Sequence, residues 1–439
     1  MTTSLALSRQ AVAHTERFGR YIVVGIVLAT FGPYITGSVR TEQVAVYAVV
    51  VFIAPAFLRR FFGNSDASFL IPWCLYVLAA TFGVLFPSEI SGRWVGGNVL
   101  AGYDGMLVPL AIMLIVWSVV PRVDAPVILA TVSRVVAAAM AVNGLLAIIN
   151  IRVDLSSYLR PFWSTASSEV LSVAERAAQL GRYGGIFNQP AEAGALYGFA
   201  GLAAIYVWRR RPLLLALVIG LITIGGLLSV SKIFILGGLP LILFYWLKTQ
   251  EKGKKIGLVV GVAFLAFGVL QSGLFAAWSG TQYLARLIDP QGGLLSFYTA
   301  GRTGADSGVS QVVAEVLHTS PLVGMGAGGW LIAYDSAIAE SMAMGGILGL
   351  VLYVAVLVAV LALSRRLVDH ELRFFSLLFG ILLVGSSTGF SPLTANRVST
   401  IVWVFLALFA LCRERRPGGS SGSNTIDDTS SRPLGAVAH

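Results

Sequence analysis

Charge is scarce in this sequence. Asp, Glu, Lys and Arg make up 12% of its 439 residues, about half the share of a soluble globular chain. That shortage excludes a soluble fold of this length. Cysteine is almost missing too: Cys74 and Cys412 lie far apart, in or beside apolar stretches. Two such residues give neither a disulfide framework nor a zinc spacing, and both read as small buried hydrophobes. Four histidines leave no H-E-x-x-H, and the expected outer loops hold no D-x-D. No G-x-x-x-x-G-K-[ST] is present, and the cytoplasmic loops are too short to build an ATPase. A G-x-S-x-G pattern at Gly418–Gly422 has no strand before it, so it is not a nucleophile elbow. The first twenty residues or so carry no cleavage signal, so the first apolar run is expected to be retained.

What is there is long apolar runs. Hydrophobic residues reach 56%, and runs of about 18 or more recur, each able to span a bilayer as a helix. The runs are continuous rather than alternating, which excludes barrel strands. The expected fold is an all-α polytopic integral membrane protein with about twelve transmembrane helices. The expected spans lie near 21–38, 42–58, 68–87, 99–120, 125–150, 191–208, 212–230, 232–247, 256–277, 336–363, 374–389 and 398–412. Residues 1–416 form this membrane domain. Residues 417–439, rich in Gly and Ser, read as a disordered cytoplasmic tail.

The basic residues set the expected orientation. With a cytoplasmic N-terminus, most of the 31 Lys and Arg residues fall in short inner segments around Arg59, Arg210, Lys254, Arg366 and Arg415. Both termini are then cytoplasmic. The formal charge of +10 reflects topology and contact with anionic lipid rather than nucleic-acid binding. Two long loops are outer, about 150–190 and 278–335. Part of the first, near 170–180, reads as a short helix.

Cations that remain outside need a reason. Arg182 sits in GRYGGIFNQPAEAG, Lys232 in SVSK, Arg302 in AGRTG and Arg397 in SPLTANR. Together they could hold a diphosphate, because a planar guanidinium gives paired charge-assisted hydrogen bonds and does not deprotonate. The bland alternative is that each side chain reaches the headgroups. Arg134, inside a span, reads as a side chain that snorkels or pairs. Three acids lie at outer helix ends. Asp335 could orient or deprotonate an acceptor hydroxyl, or simply cap a helix. Glu192 and Glu340 are further candidates for substrate binding. His318 reads as solvated or structural. The tight Pro321–Gly326 turn lies in the stretch from Thr299 to Leu350, which begins polar and glycine-rich and ends in an apolar helix, and together they suggest an expected site for an anionic group. With cations where a metal would otherwise neutralise charge, no metal and no cofactor are expected.

These segments, in this order, resemble the O-antigen ligase and polymerase superfamily. GRYGGIFNQPAEAGA is similar to that family's Arg…Gly-x-Phe-Asn-Pro-Asn segment, and SVSK stands where the family often has Ser-Arg. AGRTG, then HTSPLVGMGAGG, then DSAIAESMAMGGILGL resembles its large periplasmic loop. The resemblance covers roughly Gly181–Tyr353. It implies a C-type glycosyltransferase-like fold in a bacterial inner membrane, acting on polyprenyl-pyrophosphate-linked oligosaccharides. It also implies that Arg182 and Arg302 bind the leaving pyrophosphate. Asp335 stands where ligases typically carry His, and Gln-Pro-Ala-Glu replaces Asn-Pro-Asn. Both departures favour polymerisation of repeat units into O-antigen, capsular or exopolysaccharide. A glycan ligase acting on lipid or protein, and a lipid-linked oligosaccharide flippase or other transporter, are the alternatives. Expected partners are membrane lipids, a chain-length regulator and a flippase.

Overall fold

The computed structural model describes residues 18–36, 39–52, 55, 58–86, 94, 99–163, 171–249, 278–280, 307–327 and 336–413. Helices dominate. In chain order they are α1 (Phe18–Ala29), α2 (Thr41–Phe52), α3 (Leu58–Asn64), α4 (Ala67–Leu85), α5 (Val99–Val119) and α6 (Ala125–Ile149). Next come α7 (Ser156–Leu159), α8 (Val173–Gln179), α9 (Pro190–Trp208), α10 (Pro212–Leu228) and α11 (Leu239–Thr249). The last four are α12 (Gly308–Thr319), α13 (Ala337–Ser364), α14 (His370–Ser386) and α15 (Asn396–Leu411). A hairpin of β1 (Tyr34–Thr36) and β2 (Val39–Arg40) lies between α1 and α2. A π-helical turn, Ile233–Gly238, leads into α11.

Five helices, α4, α5, α6, α9 and α13, are long and apolar enough to cross a bilayer. The protein is a mostly helical, membrane-embedded chain. Helix coincides with each expected span except 256–277, which lies outside the described residues, as does the tail 417–439. The span expected over 21–38 is corrected. Its helix stops at Ala29, and Gly32-Pro33 turns the chain into the hairpin. Proline offers no N–H to continue a helix, and its carbonyl instead accepts from the Thr41 amide and hydroxyl. This break carries Arg40 back into the bundle.

α9 is the central post, buried from Glu192 to Ile205. It starts on Pro190, at a first-turn position where a missing N–H costs nothing. Gly194, Gly198 and Gly201 let neighbours close in: a Cβ at each would meet Ser231, Leu382 and Ile242 at 2.2, 2.8 and 2.3 Å. Small residues at such contacts allow tight helix packing without a solvent-driven force. α15 is the second post and is buried from Arg397 to Leu411. Its Phe405 and Phe409 pack with Phe375 and Phe379 of α14.

α13 is broken. Gly346 has φ 61° and ψ −156° inside it. The Pro321–Gly326 turn fills the break by exchanging hydrogen bonds with the helix. Met325 N and Gly326 N donate to Ala343 O and Met344 O, each at 2.9 Å. Ile347 N and Leu348 N, which would have served those carbonyls, donate to Pro321 O at 2.8 Å and Leu322 O at 3.1 Å. Two amides and two carbonyls freed by the kink are thereby satisfied, as a break inside a membrane requires.

Polar side chains gather at two ends of the bundle. At one end Arg413 pairs with Asp66 and Arg209 with Glu371. There Arg122 Nε donates to Asn64 Oδ1 at 3.0 Å. These residues belong to the short basic segments. The opposite end holds the sequence's other candidates.

Candidate functional site

The site grows from the loop between α8 and α9. Ser172 and Glu175 form a reciprocal capping box at the start of α8. At its end Gly181, with φ 72°, lets Gly181 N and Arg182 N return to Ala178 O and Ala177 O. This is the paired-bond helix stop that needs a left-handed residue, and it fixes the backbone of Arg182. The backbone amide of Ser172 holds the Glu175 carboxyl below its usual range, and the Ser172 hydroxyl and Arg160 add to this. The Glu175 contribution is therefore complete above the unfolded glutamate value of about 4.3. It is lost as pH falls through the lower folded value. Hydrogen-exchange protection factors over 173–179 are expected to fall on acidification below about pH 4, and Glu175→Gln to remove that dependence. Protection that ignores pH in the wild type would refute this account.

The Arg182 guanidinium donates to Val230 O at 3.4 Å. Val230 has φ 46°, a left-handed conformation that strains a β-branched residue by about 1–3 kcal/mol. Lys232 follows two residues later, at the start of the π-helical turn. The strained turn thus brings Arg182 beside the SVSK segment. Trp278, where the second long loop is expected to begin, donates from its indole to Gly181 O. It packs with Ala147, Leu228 and Val230, beside the backbone that carries Arg182.

Further along, Asn143 on α6 clamps the Gly184–Phe187 stretch. Its Nδ2 donates to Gly184 O at 3.2 Å, and its Oδ1 accepts from Ile186 N at 2.9 Å. Trp163 Nε1 donates to Gly185 O at 3.0 Å. Gly185, with φ 65°, has Asn143 where a Cβ would stand, so no other residue fits.

Arg397 occupies the middle of this end, with 2% of its surface exposed. Nη1 donates to Ile186 O and Nη2 to Gly32 O, both at 2.8 Å. Its guanidinium lies 5.3 Å from the Tyr34 ring centre and 5.9 Å from that of Phe187. Its two terminal nitrogens are thus taken up by backbone, which explains why a cation persists here independently of any diphosphate. Glu192, 4% exposed, lies in the first turn of α9. Its electrostatic neighbours are Arg397, Arg40 and Glu42, and the Arg397 backbone amide faces it. α15 has no side-chain cap of its own. Arg40 meets Glu42 at 2.7 Å and Asp104 at 3.0 Å. Asp104 also accepts from Gln43 and Tyr47.

The candidates therefore fall into neighbouring groups. Arg182 bonds to the strained Val230 turn, two residues before Lys232. Glu192 and Arg397 share the buried cluster. Glu340, in the first turn of α13, accepts from Thr394 Oγ1 at 2.9 Å, three residues before Arg397. Arg302 and Asp335 lie outside the described residues. His318 is exposed at the end of α12, and Arg134 is exposed on α6. Sequence reasoning passed over Arg40, Glu42, Asp104 and Asn143. Each is a polar residue beside or inside an apolar run, and such a residue is a functional or architectural marker in a membrane. A second G-x-S-x-G pattern, Gly385–Gly389, also went unnoticed. It closes α14 with no strand before it, and Ser387 is hydrogen-bonded to Tyr353 at 2.9 Å. The chain matches no family model and no curated protein.

Proposed function

We propose that this chain is a metal-independent glycosyltransferase that polymerises polyprenyl-diphosphate-linked oligosaccharides, in a C-type glycosyltransferase-like bundle of about twelve spans. The observation that carries the reading is the hydrogen bond of Arg182 to the strained Val230 turn, two residues before Lys232, at the end opposite the short basic loops. Basic loops mark the cytoplasmic side, so the site faces the outer side of a bacterial inner membrane and both termini are cytoplasmic. The resemblance of the Gly181–Ala195 and Ser229–Lys232 segments to the O-antigen ligase and polymerase superfamily supports the same reading.

In the reaction, an acceptor hydroxyl oxygen attacks the anomeric carbon of the donor sugar. A new C–O bond forms as the bond to the diphosphate breaks. The electron pair leaves on the diphosphate oxygen, and Arg182 and Arg302 stabilise that charge. The hydroxyl proton passes to a carboxylate, the role assigned to Asp335. Lys232 adds a point charge to the same anion. Attack from the face opposite the diphosphate inverts the anomeric configuration.

The test is a polymer ladder from purified protein and lipid-linked repeat units. Arg182→Ala and Arg302→Ala are each expected to slow ladder growth by about a hundredfold, on the order of 3 kcal/mol. The double variant is expected to lose much less than the sum if both serve one diphosphate. Near-normal ladders from both single variants would remove the site. A second reading, a transporter of lipid-linked saccharide, is supported by the break in α13 at Gly346, because broken helices recur in transporters. Transbilayer movement of labelled substrate without any ladder would select it. Addition of one glycan to a lipid acceptor would select a ligase.

A further inference from the structure

The wedge in α13 is an exchange of hydrogen bonds between two helical segments. Met325 N and Gly326 N donate to Ala343 O and Met344 O, while Ile347 N and Leu348 N donate to Pro321 O and Leu322 O. Ala343 stands four residues before Ile347, and Met344 four before Leu348. Pro321 stands four before Met325, and Leu322 four before Gly326. Four residues is the spacing of an α-helical hydrogen bond. The same four amides and four carbonyls can therefore close four bonds within their own segments instead. In that arrangement α13 runs straight through Gly346 and α12 continues to Gly326.

The backbone is suited to both arrangements. Ser320 N already donates to Val316 O at 2.8 Å and Gly324 N to Ser320 O at 3.0 Å, so helical bonding runs from α12 into the turn. The residues that must rotate are Gly324, Gly326 and Gly346, with φ 65°, 75° and 61°. Glycine takes left-handed and right-handed backbone about equally well. The tip of the wedge, Pro321 and Leu322, is exposed, so withdrawing it costs little buried surface there. Packing favours the wedged form, because Met325 joins Ala343, Trp94, Val312 and Val316 in a small cluster of its own. Proline favours it too. Pro321 has no N–H to offer Leu317 O, so a continued α12 would bend there.

We infer that α12 and α13 form a two-state switch, in which the wedged arrangement interconverts with one of two uninterrupted helices by trading these hydrogen bonds. Both states make the same number of exchanged bonds, so they differ in packing and not in unpaired groups. Bistable elements of this kind turn local shifts into discrete movements. In the wedged state the outer part of α13 is tied down: Ala337 N donates to Ser387 O at 2.9 Å, and Glu340 Oε1 accepts from Thr394 Oγ1 at 2.9 Å. Straightening α13 about Gly346 redirects that part and takes Glu340 away from Thr394. The switch thus joins or separates α13 and the link before α15 at the outer end, whatever reaction takes place there.

The experiment uses the full chain in lipid nanodiscs, with Cys74→Ser and Cys412→Ser removing the native thiols. Spin labels are placed on Leu322→Cys and Val351→Cys, which are 68% and 57% exposed. Val351 lies three residues after Leu348, whose amide bonds Leu322 O, so the wedged state gives dipolar broadening. The unswitched parent is expected to be mostly broadened. Gly346→Ala disfavours the left-handed backbone, and is expected to raise the unbroadened share relative to the broadened one about tenfold. Pro321→Ala, at an exposed position, restores the missing N–H and is expected to shift the ratio the same way by a smaller factor. It keeps the test open if the Gly346 variant does not fold. Hydrogen exchange at Ile347 and Leu348 supplies the second readout. A trade of partners keeps both amides protected when broadening is lost, whereas simple expulsion of the wedge makes them exchange rapidly. Unchanged broadening in Pro321→Ala and in any folded Gly346→Ala, or lost broadening with rapid exchange, would overturn the switch.

Discussion

Arg397→Ala is expected to be the most damaging single change at the candidate site. It strips hydrogen bonds from Ile186 O and Gly32 O and removes one of the two cations that favour a charged Glu192. It also opens a gap between Tyr34 and Phe187. Removing one partner from a buried charged arrangement costs about 3–5 kcal/mol. The loss should appear as a low yield of monodisperse protein and a large fall in melting temperature in detergent. Arg397→Lys is expected to recover little, because an ammonium is a point charge and cannot span two carbonyls in a planar fork. Arg366→Ala, among the short basic segments, should leave melting unchanged. If Arg397→Ala melts within a degree or two of wild type, the clamp has been misread.

Gly326→Ala and Gly346→Ala are expected to be comparably severe, for a different reason. Both glycines are left-handed, at φ 75° and 61°. A Cβ at 326 would lie 2.5 Å from Ala80 O and Val84 N, and one at 346 would lie 2.5 Å from the Leu322 carbonyl carbon. The obstacles are backbone atoms, so rotating a side chain offers no relief. A left-handed alanine costs about 1–2 kcal/mol, and overpacking adds about 1–3 kcal/mol. Expulsion of the Pro321–Gly326 turn would also leave Ala343 O and Met344 O without their donors. Gly220→Ala is the control. Gly220 lies within α10 with nothing inside 4 Å of the added carbon, so alanine should be neutral or stabilise by up to about 1 kcal/mol. Melting temperatures of the three variants decide the matter, and equal values would show that the wedge does not hold α13.

Most helices were legible in the sequence because each is a local pattern. The apolar runs at 68–87, 125–150 and 336–363 need no partner to be read, and Pro190 and Pro212 mark their own helix starts. The exception at 21–38 is instructive. Gly32-Pro33 was visible as a breaker, yet hydrophobicity outweighed it, and Arg40 was left as one more loop cation. The positions of Arg182 and Lys232 at one turn were only half legible. The segments could be noticed separately, but the hydrogen bond to Val230 O depends on a left-handed valine that no propensity foretells.

By itself, then, the sequence determined a helical, membrane-embedded chain, the grouping of its basic loops, and a short list of polar residues at the opposite ends of its helices. Composition and periodicity are properties of neighbouring residues, and they carry that much. Only the tertiary structure decided which polar residues share an environment. It turned Arg397 from one more candidate anion ligand into an internal clamp, joined Glu192 to Arg40 and Glu42, and threaded the Pro321–Gly326 turn through α13. The reason is physical. In an apolar interior each polar group must find a partner, and those partners lie on helices far apart in sequence, so the pairing exists only once the helices have packed.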